Sequence, residues 1–420
     1  MRRLGTSFIL IGLLTAIASA QPAPPEAPPP PDAPLPPVAP PADAPPSPEA
    51  PLPPLVPVAP VPAAGVAATP GPAVESRPEK KLAVGTKGLF QPGLLAQGWF
   101  VADRSNGATP LSTFRLRRAE IAVKGDILPK RVSYQIMFDP AKVRETQRVT
   151  VAGPADAMGN PTTVTINNPV SAISVLQDFY ITFVSTHADV SIGQFKIPVS
   201  WEGLNSSSKI ILPERAIVSS LFGDKRDLGM RIAKQFARWG YHAGIYNGQG
   251  LNNLDTNNQK DVALRLEAYP VKGLTLAGVT YDSIGYRSRA GTKDRWEGDV
   301  RYERGPLLVQ AEYIRARDIA KDGADAVTAH GFYAAVGYTL KELVPHGDLQ
   351  PVVRVGYVDP DTSKDLDPTM GTSDELWHYD VGASYFLQGH EMKLQASYQR
   401  QQFQTKPAVN EVIVAAQVWY

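Results

Sequence analysis

The segment FRLRRAEI sets Arg117 beside Arg118, and single cations recur at Lys196, Arg231 and Arg265 in stretches that otherwise alternate apolar and polar residues. A guanidinium stays charged across the physiological pH range and presents a planar fork to an oxyanion, so these groups suit anion binding, not bond making. A ring of such charges at a constriction sets ion preference. The same cations can also pair across an interior with carboxylates, and Glu120, Asp178, Asp261 and Glu267 are available. Enzyme motifs are missing. HEMKL at His390 lacks the second histidine of an HExxH zinc helix, and no GxSxG elbow occurs. SSSK, residues 206–209, fits the loose SxxK pattern of a Ser206–Lys209 nucleophile. NLDTNNQKD spaces Asp255, Asn257, Gln259 and Asp261 as a calcium loop does, without its turn glycine or closing glutamate. The chain is therefore read as a non-enzyme, with no cofactor and no metal.

These cations must be positioned by strands. From about Leu94 onward apolar residues recur every second position. In KDVALRLEAY, Val262, Leu264, Leu266 and Ala268 oppose Asp261, Ala263, Arg265 and Glu267. In WHYDVGASYF, Tyr379, Val381, Ala383 and Tyr385 oppose His378, Asp380, Gly382 and Ser384; in RWEGDVRYE, Trp296, Val300 and Tyr302 oppose Glu297, Asp299, Arg301 and Glu303. Short connections fall at 125–130, 185–189, 238–240, 270–273, 304–306 and 388–390. Long polar ones fall at about 140–172, 199–226, 248–259, 284–294, 317–329 and 359–375. Counting through them, with 94–103 first, gives sixteen strands. Strands of near ten residues with this asymmetry point to an all-β transmembrane antiparallel barrel, short turns periplasmic and long loops extracellular. Lipid offers the backbone no hydrogen-bond partner, so strands cross it only when the sheet closes. A barrel of this size is too wide for side chains to fill and leaves an aqueous channel.

The 420 residues contain no cysteine and carry a net charge of +1. The first observation asks for stability without disulfides and excludes a lipid-anchored lipoprotein; the second gives no electrostatic case for nucleic acid. Arg2 and Arg3, an apolar run from Phe8 to Ile17 and Ala18-Ser19-Ala20 read as a signal peptide, residues 1–20. Residues 21–85 hold most of the prolines, whose fixed φ and missing N–H favour a disordered, polyproline-II-like periplasmic linker. Residues 86–420 form the barrel domain. The alternative reading is a structural envelope tether whose proline-rich arm, residues 21–80, binds peptidoglycan or a periplasmic partner.

Several stretches together resemble one family. They are FRLRRAEIAVKGDI (114–127) with VSYQIMFD after it, SIGQFKIPVSWEGLNSSSKIILPER (191–215), DLGMRI (227–232), GIYNGQGLNNLDTNNQKDVALRL (244–266) and QAEYIRARD (310–318). In this order they resemble the phosphate-selective porins, the porin O and porin P type, of Gram-negative outer membranes. The resemblance implies a sixteen-stranded homotrimeric barrel that passes small solutes, anions such as phosphate among them. It also implies that Arg117 and Arg118 stand at the pore constriction and that Glu214 and Arg215 lie in a long loop folded into the barrel. Two family features are missing: a lysine soon after the GxF strand, where Gly203 stands with Lys209 further on, and a run of alternating arginines, of which YRSRAGTKDR keeps Arg287 and Arg289. Permeation that is general or weakly anion-preferring is therefore expected, with Arg117, Arg118, Lys196, Arg215, Arg231 and Arg265 as pore residues. Both Arg117 and Arg118 face the lumen only if a bulge lies between them, since they sit on opposite parities. The closing EVIVAAQVWY presents Val412, Val414, Ala416, Val418 and Tyr420 on one face. Its terminal aromatic resembles the signal that barrel-assembly machinery reads, which leaves lipid, that machinery and small solutes as the expected partners.

Overall fold

The computed structural model describes residues 82–84, 88–104, 111–144, 146–152, 163–169, 175–284, 291–319, 322–344, 346–363, 374–404 and 407–420. The expected signal peptide, nearly all of the proline-rich linker, Arg287 and Arg289 lie outside these residues. Sixteen long strands form a closed antiparallel barrel. They are β1 (Gly88–Asp103), β2 (Leu111–Leu128), β3 (Val132–Phe138), β4 (Leu176–Phe183), β5 (Asp189–Lys196), β6 (Arg226–Gln235), β7 (Trp239–Tyr246) and β8 (Lys260–Ala268). The second half comprises β9 (Leu274–Ile284), β10 (Lys293–Arg304), β11 (Leu307–Asp318), β12 (Val327–Tyr338), β13 (Gly347–Asp359), β14 (Leu376–Gln388), β15 (Met392–Phe403) and β16 (Val409–Trp419). Two short strands, Leu82–Val84 and Leu340–Val344, add to β1 and β13.

Each strand pairs with its neighbour in sequence, and β16 pairs with β1 from Leu95↔Trp419 to Asp103↔Glu411. At the seam Leu94 and Tyr420 exchange both backbone hydrogen bonds, at 2.9 and 2.8 Å. Closure thus leaves no edge to satisfy. Short connections lie at one end, the turn end, and long ones at the other, the loop end. The first strand begins six residues before the expected Leu94, because residues 88–93 run on past the seam and pair with β2, Gln91 opposite Lys124. A seventh short connection, residues 339–346, joins β12 to β13; its apolar Leu340, Leu343 and Val344 disguise it as strand, and part of it is strand.

Alternation follows the outside and inside of the barrel. On β16, Val412, Val414 and Val418 are exposed on the outer wall while Ile413, Ala415 and Gln417 are buried inside. On β14, Tyr379 and Val381 point out while His378, Asp380 and Ser384 are buried within; on β8, Leu266 points out and Asp261, Ala263 and Arg265 point in. An exposed apolar wall this extensive is costly in water and favourable in hydrocarbon. The apolar inner residues of β16 also have a reason: Ile413 and Ala415 cluster with Trp99 and Val101 of β1 across the seam.

Candidate channel and its constriction

The connection from β5 to β6, residues 197–225, folds into the barrel. Its Ile211, Leu212, Val218 and Phe222 pack on inward-facing Ile314, Ala329, Tyr333 and Val352 of β11, β12 and β13. Backbone in a lumen still needs partners, and the wall supplies them. Lys393 Nζ donates to Ile210 O at 2.9 Å, Ser384 Oγ to Ile211 O at 3.0 Å and Gln417 Nε2 to Ser208 O at 3.0 Å. At the neck of the loop, Ser200 takes a left-handed φ of 64° and its hydroxyl caps Gly203 N at 2.9 Å. Gly223 crosses there so closely that a Cβ would lie 2.1 Å from Ser200 Cβ.

On the opposite wall the loop meets the paired arginines. A register shift in β1–β2 sets Gln97 opposite Arg118 and Gly98 opposite Leu116, so Arg117 is an extra residue. That bulge turns both guanidiniums inward. Arg117 grips Glu214 at 2.9 and 3.2 Å, and Arg118 reaches the same carboxylate at 3.3 Å while donating to Gln97 at 2.7 Å. Burial pushes the Glu214 carboxyl up, but Arg118 and then Arg117 outweigh it and hold it down at about 2. Arg215 and Lys196 share Asp224, at 3.1 and 3.3 Å. Burial raises Asp224, yet Lys196 and Arg215 hold it well below the usual carboxylate range.

The loop packs on the wall from β10 to β16, and open space remains along β2 to β6, reaching at the loop end to Lys293 and Arg295 of β10. A cavity of about 500 Å³ at the loop end is lined by nine cationic side chains, Arg117, Arg118, Lys196, Arg215, Arg226 and Arg295 among them, against five carboxylates. It adjoins a smaller one of about 230 Å³ at Glu120, Lys196, Ser207 and Arg226. That in turn adjoins a third, of about 420 Å³, at Gln135, Tyr180 and Arg231 near the turn end. The three follow one another through the barrel. The smallest lies between Leu204, Ser206 and Ser207 of the loop and Arg226 and Arg231 of the wall.

Four expected pore residues, Arg117, Arg118, Lys196 and Arg215, are thus brought together at the loop. Arg231 stands deeper, its guanidinium 4.5 Å over the Phe195 ring, and lines the second and third cavities. Arg265 does not join them. It is buried behind the loop, held by Glu267 at 2.7 Å, Asp299 at 2.8 Å and Glu297 at 3.5 Å. Arg226, absent from the expected set, lines two cavities and pairs with Asp178 at 2.7 Å. It shares parity with outward Leu228, Met230 and Ile232, so alternation hides it; the strand end beside the loop breaks the alternation. Ser206 bonds the Ser208 hydroxyl at 3.0 Å and caps a short turn, in which the Lys209 backbone N–H donates to Ser206 O at 2.9 Å. Asp255 takes Lys260 Nζ and Asn257 N, which ties that loop together by an ion pair.

The family model of the phosphate-selective porins O and P matches residues 99–293. Among solved structures, OmpF of Salmonella typhi in complex with daunomycin is similar over 81% of this chain and 100% of its own, with 10% identity and a TM-score of 0.55. The high-pH structure of OprB from Pseudomonas putida is similar over 79% and 94%, with 11% identity and a TM-score of 0.51. The anion-selective porin from Comamonas acidovorans is similar over 80% and 100%, with 8% identity and a TM-score of 0.50. An uncharacterised protein of Aquifex aeolicus is 27% identical over 256 residues, which is 50% of this chain and 59% of that relative. The chain therefore spans less than two thirds of that relative's length. Fold and family match are those of outer-membrane channel proteins, not of enzymes.

Proposed function

We propose that this barrel, whose residues 99–293 match the phosphate-selective porin family, is a passive diffusion channel in the outer membrane of a Gram-negative bacterium, for small hydrophilic solutes with a preference for anions, phosphate among them. One observation carries the preference: nine cations against five carboxylates line the loop-end cavity through which solutes reach the constriction. A low-dielectric wall focuses such a field, raises the local concentration of counter-ions and so favours anion entry. Arg117 and Arg118 are both engaged by Glu214. Their charge is thereby offset, which supports weak preference and not tight phosphate capture. On this reading the turn end faces the periplasm, residues 1–20 direct export and residues 21–85 form a periplasmic arm. The last strand is read by barrel-assembly machinery, and the barrels assemble as trimers.

Planar-bilayer recordings of the full chain test the reading. Stepwise conductance is expected, with reversal potentials in asymmetric chloride and phosphate salts that report an anion preference. Arg117→Ala with Arg118→Ala is expected to reduce that preference. Folded protein without conductance would sink the channel reading, and unchanged selectivity in the double variant would reject the constriction assignment.

A further inference from the structure

The loop's carbonyl groups are met by wall side chains, but the donors at its neck converge on something more specific. Glu312 of β11 accepts four hydrogen bonds. Its Oε2 takes Ser200 Oγ at 2.6 Å and Ser219 Oγ at 3.2 Å; its Oε1 takes Glu202 N at 2.6 Å and Tyr333 OH at 3.1 Å. Glu297, on adjacent β10, takes Ser200 N at 2.5 Å. Ser200 and Ser219 stand at opposite ends of the loop, so one carboxylate ties together both limbs and the wall. Glu297, Glu312 and the loop's own Glu202 are buried, and none of them lines the three cavities.

We infer that Glu312, assisted by Glu297, is the positioning residue that latches the 197–225 loop across the barrel and thereby sets the width and ion preference of the pore. A carboxyl group suits this role because it offers two acceptor oxygens to several donors, whereas an amide would aim an NH₂ at one pair of them. Truncation strands four donors in a site from which water is excluded. The loop then loses its hold at the neck, while the Arg117–Glu214 clasp remains at the far wall. Groups that face Glu312 are Glu202 from the loop, Asp299 and Glu297 from β10 and Tyr333 from β12; Arg265 pairs with Glu297 and Arg354 with Glu202.

The inference rests on the channel reading, and one set of measurements separates the two. Single-channel conductance and reversal potential are recorded for the full chain, Glu312→Ala, Glu312→Gln and Ser200→Ala. Glu312→Ala is expected to raise conductance two-fold or more and move the reversal potential toward zero. Isosteric Glu312→Gln keeps one acceptor oxygen and falls between. Adding Ser200→Ala to Glu312→Ala changes little more, because the contact between the two is already gone and only the Gly203 cap is lost besides. If Glu312 acted only as a lumenal charge, Ala and Gln would alike strengthen the anion preference at constant conductance, and the latch would be overturned. Should Glu312→Ala not fold, Glu312→Gln carries the same comparison. If the unaltered chain gives no conductance, the channel reading fails by itself. Limited proteolysis of residues 197–225 in folded protein still decides the latch, faster cleavage in Glu312→Gln supporting it and equal cleavage rejecting it.

Discussion

At the scale of single residues, Glu214 is where charge and architecture meet. Burial alone would raise its carboxyl, but Arg118 and Arg117 hold it at about 2, below an ordinary value of 4.5. A carboxyl lowered in the folded state contributes stability above its free value and loses that contribution as the pH falls through the folded one. The clasp is thus intact at neutral pH and dissolves only in strong acid. Glu214→Gln is expected to differ most from the parent channel at pH 7. The difference in conductance should persist to about pH 3 and close below it as Glu214 takes up a proton. A pH series of single-channel recordings checks this; a gap that closes near pH 4.5 would show that the arginines do not hold the carboxylate. The sequence made the clasp partly legible. Opposite parity of Arg117 and Arg118 demanded a bulge, and the bulge is there. Alternation hid Arg226, because strand-end side chains follow the loop and not the sheet.

At the scale of elements, alternation is a statement about two solvents. Val414 lies on the outer face of β16, near the middle of the strand, and Ala233 lies on the inner face of β6 beside the turn-end cavity. Placing arginine at Val414 puts a charge in hydrocarbon and is expected to cost about 2–4 kcal/mol. Ala233→Arg places the same charge in a wet lumen and is expected to leave stability nearly unchanged. Equilibrium unfolding in lipid vesicles compares the two, and equal losses would contradict the assignment of faces. Inward residues on β11 to β13 behave differently. Ile314, Ala329 and Val352 are apolar because the loop covers them, a pairing no strand pattern can announce.

At the scale of the whole molecule, the seam is the decisive contact. β16 supplies the ladder that closes β1, and Tyr420 makes its last two backbone hydrogen bonds with Leu94. Deleting residues 409–420 is expected to leave β1 and β15 with open edges that lipid cannot satisfy. The truncated chain should then lose the heat-dependent gel mobility of a closed barrel. Retention of that mobility would mean that closure does not depend on this strand. The sequence by itself determined the strand count, the face of most side chains and the asymmetry of connections, since period two and turn chemistry are local properties. Only the tertiary structure decided which inward charges border open space. Arg265, on the expected polar face, is sealed among Glu267, Glu297 and Asp299, whereas Arg226, on the apolar parity, lines the open path. The reason is geometric: neighbours across a lumen come from strands far apart in sequence, and the loop that covers some of them chooses its wall only once the barrel has closed.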